Sequence, residues 1–332
     1  MDLPPAVPEA ARPEPDEPPS RVLAPLLARA GLPAPLSVRR ITGRGFDNAV
    51  WVLGFGDGRR VVLRSWREPR EAEDGRFRFL ADHGLPVPEL LAASGEGSLY
   101  AFADGELLGD LIESGRATDA VWRAVGRAYG RVHGVGFPER VRGKVRPGRL
   151  WLESVDPVAE LHGQVDACAP GLHRLAPGML PQLAELHTLV DEAADALRAD
   201  PVSLLHGDAN MWNCLVDGDR CTVIDWDGPR VGSSAKEIAL LDKHAWLFGR
   251  RGLPSAFFTG YGRPRAEPVT SLQRVVQTVH WAVSDDWDDF RRPALTDELR
   301  ARAMAWLERL TAYARRLDEH VRAASAAATP PG

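Results

Sequence analysis

Acidic and amide side chains stand at the ends of short apolar strands between residues 204 and 227. A strand ending at Leu205 leads into a turn that carries Asp208, and Asn213 follows five positions later. Two β-branched runs then flank Asp217-Gly218, a strong hairpin signal, and the second run ends on Asp225. Because a hairpin folds such ends back toward one point, we expect Asp208, Asn213 and Asp225 to lie close together.

These three side chains are of the types that phosphoryl transfer from ATP requires. One carboxylate orients the attacking hydroxyl and accepts its proton, while an amide oxygen and a second carboxylate hold magnesium. Oxygen ligands suit this hard cation. Asp208 and Asn213 keep the D-x-x-x-x-N spacing of a protein-kinase catalytic loop, and Asp225 closes a hairpin after it. The alternative is a surface hairpin with scattered turn acids.

The sequence of this stretch resembles that of the aminoglycoside phosphotransferase family. These enzymes are small-molecule kinases related to protein kinases. The resemblance is carried by His206-Gly207-Asp208 and by Ile224-Asp225-Trp226. It implies a two-lobed, protein-kinase-like α+β fold, with a small antiparallel sheet in the N-lobe and a larger, mainly helical C-lobe that holds a catalytic β-hairpin. It also implies Asp208 as catalytic base, Asn213 and Asp225 as Mg²⁺ ligands, and ATP or GTP as phosphate donor.

The elements before these motifs are predicted as strands joined by glycine-containing turns. Strands are expected over 36–41, 49–55 and 60–66, and the loop between the first two contains Gly43 and Gly45 and closes at Asn48. This order is that of a kinase N-lobe. Loop glycines let backbone N–H groups approach phosphates, so Gly43, Gly45 and Asn48 are candidates for nucleotide binding.

Two charged residues extend the predicted nucleotide site. Arg64 ends Val61-Val62-Leu63-Arg64, where protein kinases place V-A-I-K, and an Arg still neutralises phosphates. Glu73 falls where the family places the acid that pairs with this basic residue, and Glu71 is a close rival. The alternatives are an outward-facing strand Arg64 and solvated surface acids.

An acidic cluster near the C-terminus suggests an acceptor subsite. Asp285, Asp286, Asp288 and Asp289 surround Trp287. Carboxylates replace the water around ammonium groups, and an aromatic face adds a cation–π contact. Together with Asp227, two residues after Asp225, these aspartates are candidates for binding a cationic acceptor. The alternative is a solvated acidic loop that favours the start of the following helix.

The predicted function is ATP-dependent phosphorylation of a hydroxyl on a small molecule. An aminoglycoside or aminocyclitol antibiotic is the leading acceptor, which implies resistance or self-protection. A metabolic kinase acting on choline, homoserine or a sugar is the alternative on the same scaffold. A non-catalytic, nucleotide-binding pseudokinase is a third hypothesis, and the presence of Asp208, Asn213 and Asp225 argues against it. No A-P-E segment or long activation loop follows Asp225, which argues against a protein kinase.

Composition limits the possible partners. The 332 residues include 41 Lys plus Arg and 46 Asp plus Glu, a net charge of −5, which does not suggest a nucleic-acid or membrane-surface partner. No apolar stretch is long enough to span a bilayer, and the three cysteines form no zinc pattern. We therefore expect a cytoplasmic monomer or homodimer.

The domain organisation follows from these patterns. Residues 1–20 are rich in Pro, Ala and Glu and are expected to form a disordered tail. The N-lobe is predicted over 21–104, the C-lobe over 105–322 and a loose tail over 323–332. Residues 137–157, rich in Arg, Gly and Pro, are predicted to be a long loop.

Overall fold

A computed structural model describes residues 17–41, 48–284 and 297–328. Two compact units account for these residues. The first contains residues 17–41, 48–72, 91–101 and 297–305, and the second contains the remainder. The predicted boundary after residue 104 lies close to the end of the first unit at Ala101, whereas Glu73–Leu90 clusters with the second unit.

The first unit is an antiparallel sheet packed against one helix. Its elements are α1 (Ser20–Ala30), β1 (Ser37–Ile41), β2 (Asn48–Gly54), β3 (Arg60–Trp66), β4 (Leu90–Ala93) and β5 (Gly97–Ala101), in the sheet order β1-β2-β3-β5-β4. Alternation along β2 and β3 turns Trp51, Leu53 and Leu63 inward, where Leu26 of α1 packs against them. Burial of this shared apolar face holds helix and sheet together.

The second unit is mainly helical and contains two small sheets. Its elements are α2 (Asp74–Asp82), β6 (Glu106–Leu107), α3 (Leu108–Glu113), α4 (Asp119–Val132), β7 (Val141–Arg146), β8 (Arg149–Ser154), α5 (Pro157–Ala167), α6 (Ala169–Leu175), a 3₁₀ turn (Pro177–Met179), α7 (Pro181–Glu192), α8 (Ala194–Ala199), β9 (Val202–Leu205), β10 (Cys214–Asp217), β11 (Arg220–Val223), β12 (Arg230–Ser233), α9 (Ser234–Leu247), α10 (Ser255–Tyr261), α11 (Val269–Val283), α12 (Asp297–Ala314) and α13 (Leu317–Ala328). α12 continues from the first unit into the second.

The predicted hairpin is confirmed. β10 and β11 pair antiparallel from Cys214↔Val223 to Asp217↔Arg220, and Gly218 adopts φ 58° in the turn. β6 adds a third strand on the other side of β10. The strand ends that carry Asn213 and Asp225 therefore meet at one end of the hairpin.

A four-stranded antiparallel sheet, β8-β7-β12-β9, replaces the long loop predicted over 137–157. That prediction was wrong because charged residues dominate the sequence of β7 and obscure its alternation of buried and exposed positions. Gly143 and Val145 are buried, while Arg142 before them and Lys144 between them are exposed. The dipeptide Pro147-Gly148, with Gly148 at φ 73°, is a local turn signal that joins β7 to β8. The other pairing partner of β7, β12, lies more than 80 residues away, so no local signal indicates that pairing.

Small residues bring α4 and α10 into close contact. A Cβ atom on Gly126 of α4 would overlap the carbonyl oxygen of Phe257, and one on Gly260 of α10 would overlap that of Arg123. α4 also packs against β10 and β11. The glycine crossing therefore fixes the helix that supports the hairpin.

The C-terminal helix is longer than predicted. Residues 323–328, predicted as a loose tail, form the end of α13. The run Ala323-Ala324-Ser325-Ala326-Ala327-Ala328 is rich in alanine, the residue with the highest helix propensity, which explains the continuation.

Candidate active site

Two amides hold the carboxylate of Asp208. The side-chain nitrogens of Asn210 and Asn213 donate to Asp208 Oδ2 at 3.1 and 3.0 Å. Asn213 Nδ2 also donates to the Asp208 carbonyl at 2.8 Å. In the described part of the chain, no hydrogen bond reaches Oδ1 of Asp208. One carboxylate oxygen is thus fixed and the other is available to an acceptor hydroxyl.

The surroundings of Asp208 raise its pKa. The carboxylate is exposed at the surface, yet the protein packed around it removes hydration, and this is the largest cause of the rise. The nearby Asp225 charge adds to it, while His206 and the two amides oppose it. A carboxylate with a raised pKa is a better proton acceptor at neutral pH than an ordinary aspartate.

The hairpin brings Asp225 to Asn213. The Ile224 N–H donates to the Asn213 carbonyl at 2.9 Å, so Asp225 follows directly after this contact. Asp225 has φ 66°, a left-handed conformation that is costly for a non-glycine residue and is concentrated at functional sites. The three residues singled out by the sequence are therefore brought together.

The available donors fit magnesium. Because Asn213 uses its amide nitrogen on Asp208, its side-chain oxygen remains free of hydrogen bonds from described residues. Among those residues, no group of three or more His, Cys, Asp and Glu side chains is suited to a metal ion. One amide oxygen and one carboxylate suffice for Mg²⁺, which completes its shell with waters and substrate phosphates.

His206 links the turn to the hairpin. Its ring is buried, Nε2 donates to the Ile224 carbonyl at 2.8 Å, and Nδ1 accepts from the Asp208 N–H at 3.3 Å. These partners place the Nε2 hydrogen toward the Ile224 carbonyl and the Nδ1 lone pair toward the Asp208 N–H. The histidine therefore fixes the spacing between Asp208 and Asp225.

Glu237 of α9 also binds the turn that carries Asp208. Its buried carboxylate accepts from the N–H groups of His206 and Gly207 at 3.0 and 2.8 Å, and from His133 Nε2 at 2.9 Å. Burial opposes its charge, but His133, His206 and the Gly207 N–H lower its pKa overall. These contacts anchor the turn that carries Asp208 to α9.

The position of Gly207 admits no other residue. It has φ 89°, and a Cβ atom there would overlap the carbonyl oxygen of Gly228. The stem of Arg230 lies on the same side, with its Cγ 3.3 Å from the Cβ position. The segment after Asp225 therefore packs directly on the turn that carries Asp208.

Glu73 and Arg76 form a buried ion pair at 3.1 Å. Arg76 also donates to the Trp226 carbonyl at 3.0 Å, which anchors the residue after Asp225. Sequence reasoning missed Arg76, although its position three residues after Glu73 on a helix start was a usable signal. The role predicted for Glu73 as the partner of Arg64 stays a prediction.

The other residues predicted to bind the nucleotide lie in the first unit or are not among the residues that the structure describes. Arg64 lies in the middle of β3 with its guanidinium 4.9 Å from the Trp66 ring, and Asn48 begins β2 opposite Trp66. Gly43 and Gly45 fall outside the described residues, so their role stays a prediction.

Of the predicted acceptor residues, only Asp227 is described. It is half-buried two positions after Asp225. Asp285, Asp286 and Asp288 lie outside the described residues, and their role stays a prediction.

A buried lysine beside Asp208 was not predicted. Lys243 of α9 is buried, with Nζ 4.0 Å from the centre of the Trp281 ring. Burial lowers its pKa to about 7, against the opposing effect of Asp208. Trp281 belongs to a chain of ring contacts that continues through His244, Trp306 and Phe248 to Trp212 in the catalytic loop. An Asp242-Lys243-His244 triplet, flanked by apolar residues over 238–241 and 245–247, was the available signal.

Solved structures share this fold. A choline/ethanolamine kinase family protein from Mesorhizobium loti aligns with TM-score 0.59 and 18% identity, covering 91% of this chain and 97% of that chain. A fructosamine-3-kinase homologue from Thermobifida fusca YX-ER1 aligns with TM-score 0.54 and 18% identity over 88% and 100%. A thermostable mutant of aminoglycoside phosphotransferase APH(4)-Ia, in ternary complex with ADP and hygromycin B, aligns with TM-score 0.53 and 18% identity over 86% and 97%. A search among curated proteins gave no match.

The chain has a protein-kinase-like α+β fold, which confirms the fold class predicted from the sequence. The model of the phosphotransferase enzyme family (APH) matches residues 37–271. The chain belongs to this family, and it is a phosphotransferase with an alcohol group as acceptor. Across residues 17–41, 48–284 and 297–328, no helix combines the length and apolarity that a membrane span requires.

Proposed function

We propose that the protein transfers the terminal phosphoryl group of ATP or GTP to a hydroxyl of a small molecule, with Asp208 as catalytic base. The observation that carries this proposal is the arrangement at Asp208. Asn210 and Asn213 hold Oδ2, and Oδ1 is left for the acceptor. A pseudokinase has no need for a carboxylate oriented in this way.

In the proposed reaction, the acceptor oxygen attacks the terminal phosphorus while the bond from that phosphorus to the nucleoside diphosphate breaks. Asp208 orients the hydroxyl and takes its proton, which leaves a phosphate ester and the diphosphate as products. Asn213 and Asp225 are the proposed Mg²⁺ ligands. When bound, the ion neutralises charge on the phosphate oxygens.

Nucleotide binding draws support from the ADP in the complex of the aligned aminoglycoside phosphotransferase. Gly43, Gly45, Asn48, Arg64 and Glu73 are the proposed contributors from the remainder of the chain. Their side chains and loop amides match the nucleotide-binding motif order described for protein kinases.

The acceptor class is a separate proposal. An amino-sugar or aminocyclitol is supported by the hygromycin B in the same aligned complex and by the acidic sequence that contains Asp285, Asp286 and Asp288. A small metabolic alcohol is supported by the choline/ethanolamine kinase family protein and the fructosamine-3-kinase homologue that share the fold.

A coupled assay of nucleoside-diphosphate release tests the proposal. The panel contains aminoglycosides, aminocyclitols, choline, homoserine and simple sugars, each with MgATP and with MgGTP. We expect acceptor-dependent release with at least one class and its loss in Asp208→Asn. Release that does not depend on any acceptor, or that survives in Asp208→Asn, would contradict the proposed role.

A further inference from the structure

A cavity of about 430 Å³ opens beside the catalytic turn in the second unit. Residues of strands β7, β8, β9 and β12 and of helices α5, α8, α9 and α11 line it. Gly207, the residue before Asp208, lines it. Since adjacent Cα atoms lie about 3.8 Å apart, the cavity reaches to within one residue of the proposed base.

Two cations stand side by side at the rim of this cavity. Lys144 of β7 and Arg230 of β12 are direct cross-strand partners, and both line the cavity and are exposed. Like charges in directly opposed positions destabilise a sheet. The stem of Arg230 also packs against Gly207. The pair therefore concentrates positive charge next to the turn that carries Asp208.

The other charged groups of the cavity largely neutralise one another. Arg142 pairs with Glu153, Lys236 pairs with Glu160 at 3.0 Å, and Arg198 pairs with Asp156 at 3.3 Å. Arg140, which also lines the cavity, interacts electrostatically with the same Asp156. Glu237 is engaged by His133 and by the backbone of the turn.

Lys144 and Arg230 differ from these groups. Within the described ranges, neither side chain forms an ion pair or a hydrogen bond. Asp200, the remaining lining carboxylate, is buried, and burial raises its pKa and so opposes its charge. The cavity therefore retains positive charge at its rim.

We propose that the acceptor carries an anionic group, a carboxylate or a phosphate, which Lys144 and Arg230 bind while its hydroxyl lies at Asp208. Charge-assisted hydrogen bonds from an ammonium and a guanidinium to one anion are strong, and the anion relieves the repulsion between the two cations. This inference rests on the proposed kinase function. The inference narrows the acceptor class to hydroxy acids and phosphorylated alcohols. Cationic amino-sugars fall outside this class.

Matched acceptors test the proposal. Diphosphate release is measured with glucose, gluconate and glucosamine, and with glycerol, glycerate and 3-amino-1,2-propanediol, so that each trio differs in charge on a related frame. Streptomycin serves as a polycationic probe. We expect the carboxylate of a trio to have the highest kcat/KM. A neutral or cationic acceptor as the best substrate would overturn the inference and leave the kinase function standing.

Variants locate the effect. Lys144→Gln and Arg230→Gln should each raise the KM of the anionic acceptor by about tenfold or more, with the KM of MgATP and the kcat/KM of the neutral acceptor nearly unchanged. Arg146→Gln is the matched control, because Arg146 lies on the same face of β7, opposes Arg149 across the hairpin, and does not line the cavity. An equal rise in the KM of MgATP, or no difference from the control, would overturn the proposal.

A binding measurement separates this inference from the kinase function. If no probe is phosphorylated, calorimetry with gluconate and with glucose on protein saturated with MgADP gives the answer. Preferential binding of gluconate that Arg230→Gln removes supports the anion site even without transfer. Equal or absent binding of both probes overturns it.

Discussion

Asp208 has one carboxylate oxygen held by two amides and one available oxygen, which sets what a single substitution there should do. An amide at this position keeps the size of the side chain but cannot accept the proton. Asn213 donates to Asp208 Oδ2, and the amide oxygen of an asparagine at position 208 can still accept that hydrogen bond. The side-chain oxygen of Asn213, a proposed metal ligand, therefore stays available.

Asp208→Asn should therefore lower kcat by about two to four orders of magnitude, the usual contribution of a general base, and leave MgATP affinity within a few-fold of wild type. Acceptor-dependent diphosphate release and calorimetry with MgATP measure the two quantities. A variant that loses nucleotide affinity in step with kcat would show that Asp208 serves the nucleotide instead of the acceptor.

Lys243 provides a second test at the residue scale, this time of stability. The ordinary pKa of a lysine side chain, 10.5, applies to Lys243 in the unfolded chain. Burial lowers the pKa of Lys243 to about 7 in the folded protein. Between these values the unfolded chain binds more protons, so the free energy of unfolding rises with pH across this window.

Lys243→Met should be more stable than wild type at pH 7, by on the order of 4 kcal/mol from about 1.4 kcal/mol per pKa unit. This advantage should shrink as the pH rises toward 10. Urea denaturation of both proteins at pH 7, 8.5 and 10 gives the difference directly. A difference that does not change with pH would mean that the lysine is not buried as a cation-disfavoured group.

At the scale of elements, the Glu237 side chain connects α9 to the turn that follows β9. Glu237 accepts two backbone N–H groups from the turn after β9 and pairs with His133 of the segment after α4. Removing one partner of a buried, charged hydrogen-bond network leaves the others unsatisfied, which costs about 3–5 kcal/mol.

Glu237→Gln should lower the free energy of unfolding by a few kcal/mol and reduce kcat, because the turn that carries Asp208 loses its anchor. Glu192→Gln, an exposed change on α7, is the control and should match wild type. Chemical denaturation and steady-state kinetics report the two effects. Wild-type stability with Glu237→Gln would exclude a bracing role.

The whole molecule should respond to nucleotide through Asp225. A ligand that binds only the folded state stabilises it by about 2.7 kcal/mol at one hundred times its Kd. MgATP should therefore raise the Tm of the wild-type protein by several degrees, and ATP with EDTA should do much less.

In Asp225→Ala the shift with MgATP should be nearly absent. The Tm without ligand should stay close to wild type or fall slightly, because alanine keeps the Cβ atom and tolerates the left-handed conformation at φ 66° no better than aspartate does. Differential scanning fluorimetry with and without magnesium tests this. An undiminished, magnesium-dependent shift would show that another residue holds the ion.

Local sequence patterns determined much of this protein. The Asp217-Gly218 turn and the β-branched runs around it predicted the hairpin, because turn chemistry and side-chain alternation act between neighbours. The five-residue spacing from Asp208 to Asn213 lies inside one loop, so its geometry also follows from local sequence.

Only the tertiary structure decided the rest. β7 pairs with β12 across more than 80 residues, and that pairing alone sets Lys144 beside Arg230. The sequence shows Lys243 as a charged residue in a helix. Only the packing of α11, which places Trp281 over Lys243, accounts for its burial. Non-local pairing and burial arise from the packing of distant segments, and neither leaves a periodic signal in the residues that it brings together.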